Sequence, residues 1–244
     1  MKLSVVIPVL NERASLPATI AALRACHGVS EIIVSDGGST DGTVAWLHSQ
    51  PDIVLVRSMR GKGPQINVGA AAAFDVAAPA NISDIALLFL HADSLISQPA
   101  IDALHAALGD PQLAGGAFYV RFAESRPRSL RLVAWGINVR ARFRNSATGD
   151  QGIFVRKSVF DSIGGAPEWP LFEDVELVRR IKRAGKFTVL RTPLTVSGRR
   201  YIAHGVFRTA LLIYSLRLAY WLGVPPQRLK NWFRDARTDQ QSRD

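Results

Sequence analysis

Residues 2–40 read KLSVVIPVLNERASLPATIAALRACHGVSEIIVSDGGST. Positions 3–9 and 31–35 are short runs of Val, Ile and Leu without strict polar alternation, as expected of strands buried on both faces. Residues 16–25 between them have helix-like spacing, so strand, helix and strand follow one another. The alternation continues, with apolar runs at 53–56 and 85–90 and helix-like stretches at 43–49 and 64–78. This order predicts an α/β fold with a mostly parallel central sheet flanked by crossover helices. Ligands of such sheets bind beyond the carboxyl ends of the strands. Those ends carry Asn11 and Glu12, then Asp36-Gly37-Gly38, then His91-Ala92-Asp93. Three strands are therefore expected to bring acidic groups to one rim.

The second half is less regular. Residues 116–120 and 153–156 are expected as strands on either side of a basic helical stretch at 128–144. Residues 173–184 read as a helix closed by Gly185. Leu177, Val178, Ile181 and Ala184 mark its buried stripe, and Asp174 lies on the same stripe one turn earlier. A length of 244 residues, 48% hydrophobic, suits one globular domain with a short appendage. The expected division is 1–203 followed by a basic helical extension at 204–244. Cys26 is the single cysteine, which excludes an internal disulfide and fits a reducing cytoplasm. The opening residues read as a first strand and not a signal peptide, because Asn11, Glu12 and Arg13 cut the apolar run short. A net charge of +10 attracts nucleic acid, acidic lipid or phosphate-bearing substrates, or serves solubility alone. The excess collects at Arg126, Arg128, Arg131, Arg140, Arg142 and Arg144, and again in the tail through Arg234 and Arg237. No basic stripe is interleaved with stacking aromatics and no zinc-finger spacing occurs, so nucleic acid is not the expected partner.

Several residues could carry chemistry. Asp36, before two glycines, can accept a hydrogen bond from a base or sugar, or it can simply shape a turn. Ser39 to Asp41 suit a cap on the following helix. A dinucleotide fingerprint would need G-x-G-x-x-G after the first strand, and Pro8 to Arg13 hold no glycine. Gly61-Lys62-Gly63 lacks the Ser or Thr of a phosphate loop. An apolar strand ending in His91-Ala92-Asp93 offers a nitrogen and a hard carboxylate to a divalent ion; His91 can equally be an orienting or packing residue. Acids such as Glu173 and Asp174 favour a helix N-terminus through the macrodipole. Asp174 can also serve as a general base.

Taken in order, Ser4-Val5-Val6-Ile7-Pro8 with Asn11-Glu12, the run from Ser35 to Thr43, Gly61-Lys62-Gly63 with Gln65, Asn67 and Gly69-Ala70, His91-Ala92-Asp93 and Glu173-Asp174 resemble family 2 glycosyltransferases of the GT-A fold. The resemblance runs from about residue 3 to 201, and the pattern is also similar to a bacterial branch associated with arsenosugar biosynthesis. It implies inverting transfer of a sugar from a nucleotide-sugar donor to an acceptor hydroxyl, assisted by Mn or Mg. On it, Pro8 and Glu12 line the nucleotide site, Asp36 binds the base, and Lys62 and Asn67 lie near the phosphates. Asp93 ligates the metal, with His91 a second candidate, and Asp174 is the catalytic base. Asp150 and Gln151 shape the sugar and acceptor pocket. Arg199 and Arg200 belong to a diphosphate clamp in which Tyr201 stands for Trp. His91 replaces the first acid of the family's Asp-x-Asp, removing a negative charge from beside the metal.

Two readings from other classes compete: a nucleotidyltransferase, and a non-catalytic binder of an anionic ligand. Residues 206–224 are apolar, but Arg208 and Arg217 interrupt them, and a membrane span needs about 20 apolar residues. The two arginines fall on roughly opposite faces of a continuous helix, unlike an amphipathic surface helix. The segment is expected to pack on the domain, break into two helices, form a homodimer, or dock peripherally on a membrane with Trp221 and Trp232.

Overall fold

The computed structural model describes residues 1–73, 85–124, 126–230 and 232. The expected helical residues 74–78 lie outside these, as do Arg234 and Arg237.

The first half builds β1 (Lys2–Val9), α1 (Leu16–Arg24), β2 (Glu31–Asp36), α2 (Thr43–Leu47), β3 (Ile53–Arg57), α3 (Lys62–Ala72) and β4 (Ile85–Phe89). These strands pair in parallel in the order β3-β2-β1-β4. Their apolar runs are continuous because both faces are covered. Leu3, Val5 and Ile7 of β1 enter one core cluster with Leu16 and Ile20 of α1, while Val6 enters the other with Ile66 and Ala70 of α3. Gly69 lets α3 lie close on the sheet, since a Cβ there would stand 2.4 Å from Val6 Cγ1.

The second half adds β5 (Ser94–Leu95), α4 (Gln98–Leu108), β6 (Leu113–Phe122), α5 (Ser129–Arg144), β7 (Ile153–Arg156), α6 (Lys157–Ser162), α7 (Glu173–Ala184), β8 (Lys186–Val196), α8 (Arg199–Ala203) and α9 (Val206–Trp221). The sheet continues β4-β7-β6-β8-β5. There β7 runs antiparallel to both β4 and β6, β8 runs parallel to β6, and β5 antiparallel to β8. The mostly parallel sheet flanked by helices is as expected.

Five elements escape the sequence reading, namely β5, α4, α6, β8 and α8, and two of them are long. In β8, Lys186, Arg191 and Pro193 break any apolar run, and the pairing to β6 shifts register at Phe118/Tyr119. In α4 a readable signal exists, because Ala100, Ile101, Leu104 and Leu108 are buried at helical spacing. The α7 stripe is corrected in part. Leu177, Val178 and Ile181 are buried, but Ala184 is exposed, and the deeply buried acids are Glu173 and Glu176, with Asp174 half-buried. Residues 206–221 form one continuous helix and do not break into two. Among the described residues no helix is long and apolar enough to cross a membrane.

Candidate active site

The loops after β1 and β2 are tied together at the rim. Asn11, with φ of 57°, accepts the Thr40 N–H on its Oδ1 (2.8 Å) and donates its own N–H to Ser39 Oγ (2.9 Å). Glu12 N–H donates to Thr43 Oγ1 (3.1 Å) and Arg13 N–H to Asp41 Oδ2 (2.9 Å). Asp41 also accepts the Thr43 hydroxyl (2.5 Å) and the Thr43 N–H at the start of α2 (3.0 Å), and these bonds, the hydroxyl's first, hold its carboxyl below the usual range. Gln65 staples the strand ends from beneath, donating to Val9 O (2.7 Å) and Ser35 O (2.8 Å).

Beyond this rim lies a cavity of about 540 Å3, within the usual range for a small-molecule site. Its polar side carries Glu12, Lys62, Asp93, Asp150, Glu173 and Asp174, joined by Arg140, Arg199, Arg200 and Arg217. Val133 and Ile137 of α5 and Ile213 and Leu216 of α9 add apolar lining. The segment after residue 203 thus contributes directly to the cavity.

Glu173 and Asp174 open α7 behind Phe172, whose φ of 63° is strained for a non-glycine residue. Asp174 Oδ2 accepts the Gly149 N–H (2.6 Å) and Oδ1 the Val175 N–H (2.7 Å). Gly149 eases this approach, because a Cβ there would stand 3.0 Å from His91 Nε2 and 3.4 Å from Asp174 Oδ2. Burial, then the Asp174 charge, pushes the Glu173 carboxyl up to about 7, with Lys62 opposing. Burial and the neighbouring Lys62 and Arg200 push the His91 imidazole well below its ordinary value. His91 is therefore neutral and accepts a hydrogen bond from the Lys62 ammonium, Nε2 to Nζ being 3.1 Å. That contact engages one of the two ring nitrogens of the residue expected as a second metal ligand.

Asp93 is about one-third exposed, and its Oδ2 lies 3.7 Å from the Arg199 guanidinium. The segment carrying Arg199 and Arg200 is set by Glu124, which accepts the Gly198 N–H (2.7 Å) and the Ser197 hydroxyl (3.2 Å). Tyr201 packs edge-on against Phe122 with ring centroids 5.3 Å apart, and burial followed by the Asp150 charge raises its phenol to about 12. Among the described residues no three His, Cys, Asp or Glu side chains gather as a ready metal cluster. A lone carboxylate such as Asp93 nevertheless suits an ion that takes its remaining ligands from substrate phosphates.

Of the residues singled out from sequence, Pro8, Glu12, Lys62, His91, Asp93, Asp150, Asp174, Arg199 and Arg200 line this cavity. Asp36, Asn67 and Gln151 do not. Asp36 is buried and accepts the N–H groups of Gly38 (2.9 Å) and Ser39 (3.2 Å), which shapes the loop. Asn67 clamps Ala166 through its N–H and carbonyl (2.8 and 2.9 Å). Gln151 is buried, donates to Phe118 O (2.9 Å) and accepts from Arg140 (2.9 Å). Sequence reading assigned no site role to Arg140 and Arg217, which come from helices whose inward faces are invisible without the fold. Burial, then the charge of Arg140, lowers the Arg217 guanidinium to about 10.

The sheet order and the acid-lined cavity at its strand ends define the GT-A class of glycosyltransferase folds. Residues 4–164 match the family model described as glycosyl transferase family 2, and the chain belongs to that family. No curated protein matches it. Among solved structures, a mannosyltransferase of Pyrobaculum calidifontis in complex with GDP-Man and Mn2+ is similar at TM-score 0.61 and 22% identity, over 94% of this chain and 67% of that one. S. aureus TarS 1–349 in complex with UDP is similar at TM-score 0.62 and 17% identity, over 81% of this chain and 60% of that one. A longer TarS structure gives TM-score 0.60 at 16% identity, and there the match spans 37% of TarS.

Proposed function

We propose that the protein transfers a sugar from a nucleoside-diphosphate donor to an acceptor hydroxyl with inversion at the anomeric carbon. The observation that carries this reading is one cavity holding Asp174 together with Lys62, Arg199 and Arg200. Asp174 takes the proton of the acceptor hydroxyl, whose oxygen bonds to the anomeric carbon as the bond to the donor's phosphate oxygen breaks. The nucleoside diphosphate leaves carrying that electron pair. Lys62, Arg199 and Arg200 stabilise the charge gathering on it. Asp93 would hold a divalent ion, Mn or Mg, adding charge neutralisation at the diphosphate. Asp36 and Asn67 act here as braces of the nucleotide and phosphate loops. Supporting the donor class, the fold neighbours were solved with GDP-Man and Mn2+ in one case and with UDP in another. The buried free thiol of Cys26 is in keeping with a reducing cytoplasm.

The test is a thermal-shift panel of UDP, GDP and their sugars, with and without manganese. A ligand that binds only the folded chain raises Tm. A diphosphate-dependent rise that grows with manganese and loses that growth in Asp93→Ala supports the reading. Release of pyrophosphate from a nucleoside triphosphate would replace it with nucleotidyl transfer.

A further inference from the structure

We propose that α5 and α9 together form a docking face for an anionic lipid bilayer. Helix α9 is apolar on two sides: Ile213 and Leu216 line the cavity while a second apolar set faces outward. Its Arg217 faces the cavity, while Phe207, Leu211, Tyr214, Leu218 and Trp221 are exposed. These five recur every three or four residues and so form one stripe along the helix. They are not marginally exposed: Leu211 is 69% and Trp221 63% accessible. On α5, Leu132, Trp135 and Phe143 share one face in the same way, with Phe143 at 81%. The two helices touch, the Tyr214 hydroxyl lying where a Cβ on Gly136 would be 3.6 Å away. Large apolar side chains exposed on two touching helices mark an interaction site.

Charge chooses the occupant. Residues 126–149 and 177–230 contain no Asp or Glu. Arg126, Arg128, Arg131, Arg142 and Arg144 are exposed on or just before α5, and by helical geometry Arg142 and Arg144 flank its apolar face on either side. A second copy docked symmetrically on this face would set these arginines near their own equivalents with no carboxylate from either helix to pair them. A bilayer with acidic headgroups accepts both features, taking Trp, Phe and Leu at the acyl boundary and the arginines among the phosphates. With no described helix able to span, the helices lie on the surface. The proposal is independent of the sugar-transfer chemistry, since none of the exposed leucines or flanking arginines lines the polar side of the cavity.

The experiment is sedimentation of the full chain with vesicles of phosphatidylcholine, alone or mixed with phosphatidylglycerol. The chain is expected to pellet with mixed vesicles, less with neutral ones, and less again as salt rises. The double substitution Leu211→Ser and Leu218→Ser should weaken vesicle binding about tenfold per leucine, with Tm unchanged because both side chains are exposed. Arg142→Ser with Arg144→Ser should lose about fivefold per arginine on mixed vesicles and little on neutral ones. Wild type left in the supernatant with both vesicle types overturns the proposal, and so does unaltered pelleting of the leucine variant. A wild-type dimer that dissociates on the leucine substitutions, without vesicle binding, would assign the face to a second copy instead. Nucleotide binding in the thermal-shift panel fails or succeeds separately from every one of these outcomes.

Discussion

Replacing Asp174 with Asn removes a charge from the cavity and also one of two acceptors. In the wild type, Oδ2 takes the Gly149 N–H at 2.6 Å and Oδ1 the Val175 N–H at 2.7 Å. An amide offers one oxygen, so one of those N–H groups must face an NH2. An unsatisfied, partly buried donor costs about 1–3 kcal/mol. For a chain of 244 residues, each kcal/mol moves Tm by about 2–4 °C, so Asp174→Asn should melt about 2–12 °C lower. Turnover should fall much further, about a hundred- to ten-thousand-fold, as expected when a general base is lost. The assay is release of nucleoside diphosphate from whichever donor gives the largest thermal shift, run well below the variant's melting temperature. Circular dichroism and donor-induced stabilisation should show a folded, donor-binding protein. If the variant turns over at the wild-type rate, Asp174 is not the base; if it fails to bind donor, its role lies in assembling the cavity.

Glu173 sets a pH dependence. Its folded pKa of about 7 lies above the ordinary 4.5, so the folded state holds the proton more tightly than the unfolded chain. Its contribution to stability is full below about 4.5 and is lost as pH rises to about 7, at most on the order of 3 kcal/mol. Melting curves across that window should show the decline, and Glu173→Gln should flatten it; an unaltered slope in the variant would remove Glu173 as its source. Gln65→Leu removes the amide donor from the buried carbonyls of Val9 and Ser35, of which Val9 keeps the Gly37 N–H, and should cost about 1–3 kcal/mol by denaturant melts. A loss within error would mean that water replaces the amide. Arg217→Met removes a buried, charge-crowded guanidinium and should leave the apo protein equally or more stable while weakening diphosphate binding. Tighter diphosphate binding in that variant would exclude Arg217 from the donor site.

Much of the architecture was legible in the chain. Apolar runs at 3–9, 31–35, 53–56 and 85–90 announce parallel strands because a sheet covered on both faces demands continuous burial. The strand-end rule then points to Glu12, Asp36 and Asp93 without coordinates. Asp36 shows the limit of that rule: it stands at the expected strand end, yet two backbone N–H groups of its own loop claim its carboxylate. Placement at a strand end follows from local sequence, whereas the direction of a side chain depends on which donors the loop brings near.

Local pattern determined the four parallel strands of the first half, their crossover helices and the order in which acids reach the rim, because each depends on neighbours within a few residues. Tertiary structure alone decided that Arg140 and Arg217 turn toward the cavity, that His91 meets Lys62, and that α9 shows its apolar stripe outward. In α9 apolar residues occur on several sides of the helix, so spacing alone does not say which of them are buried; that choice is made by the domain surface against which the helix packs.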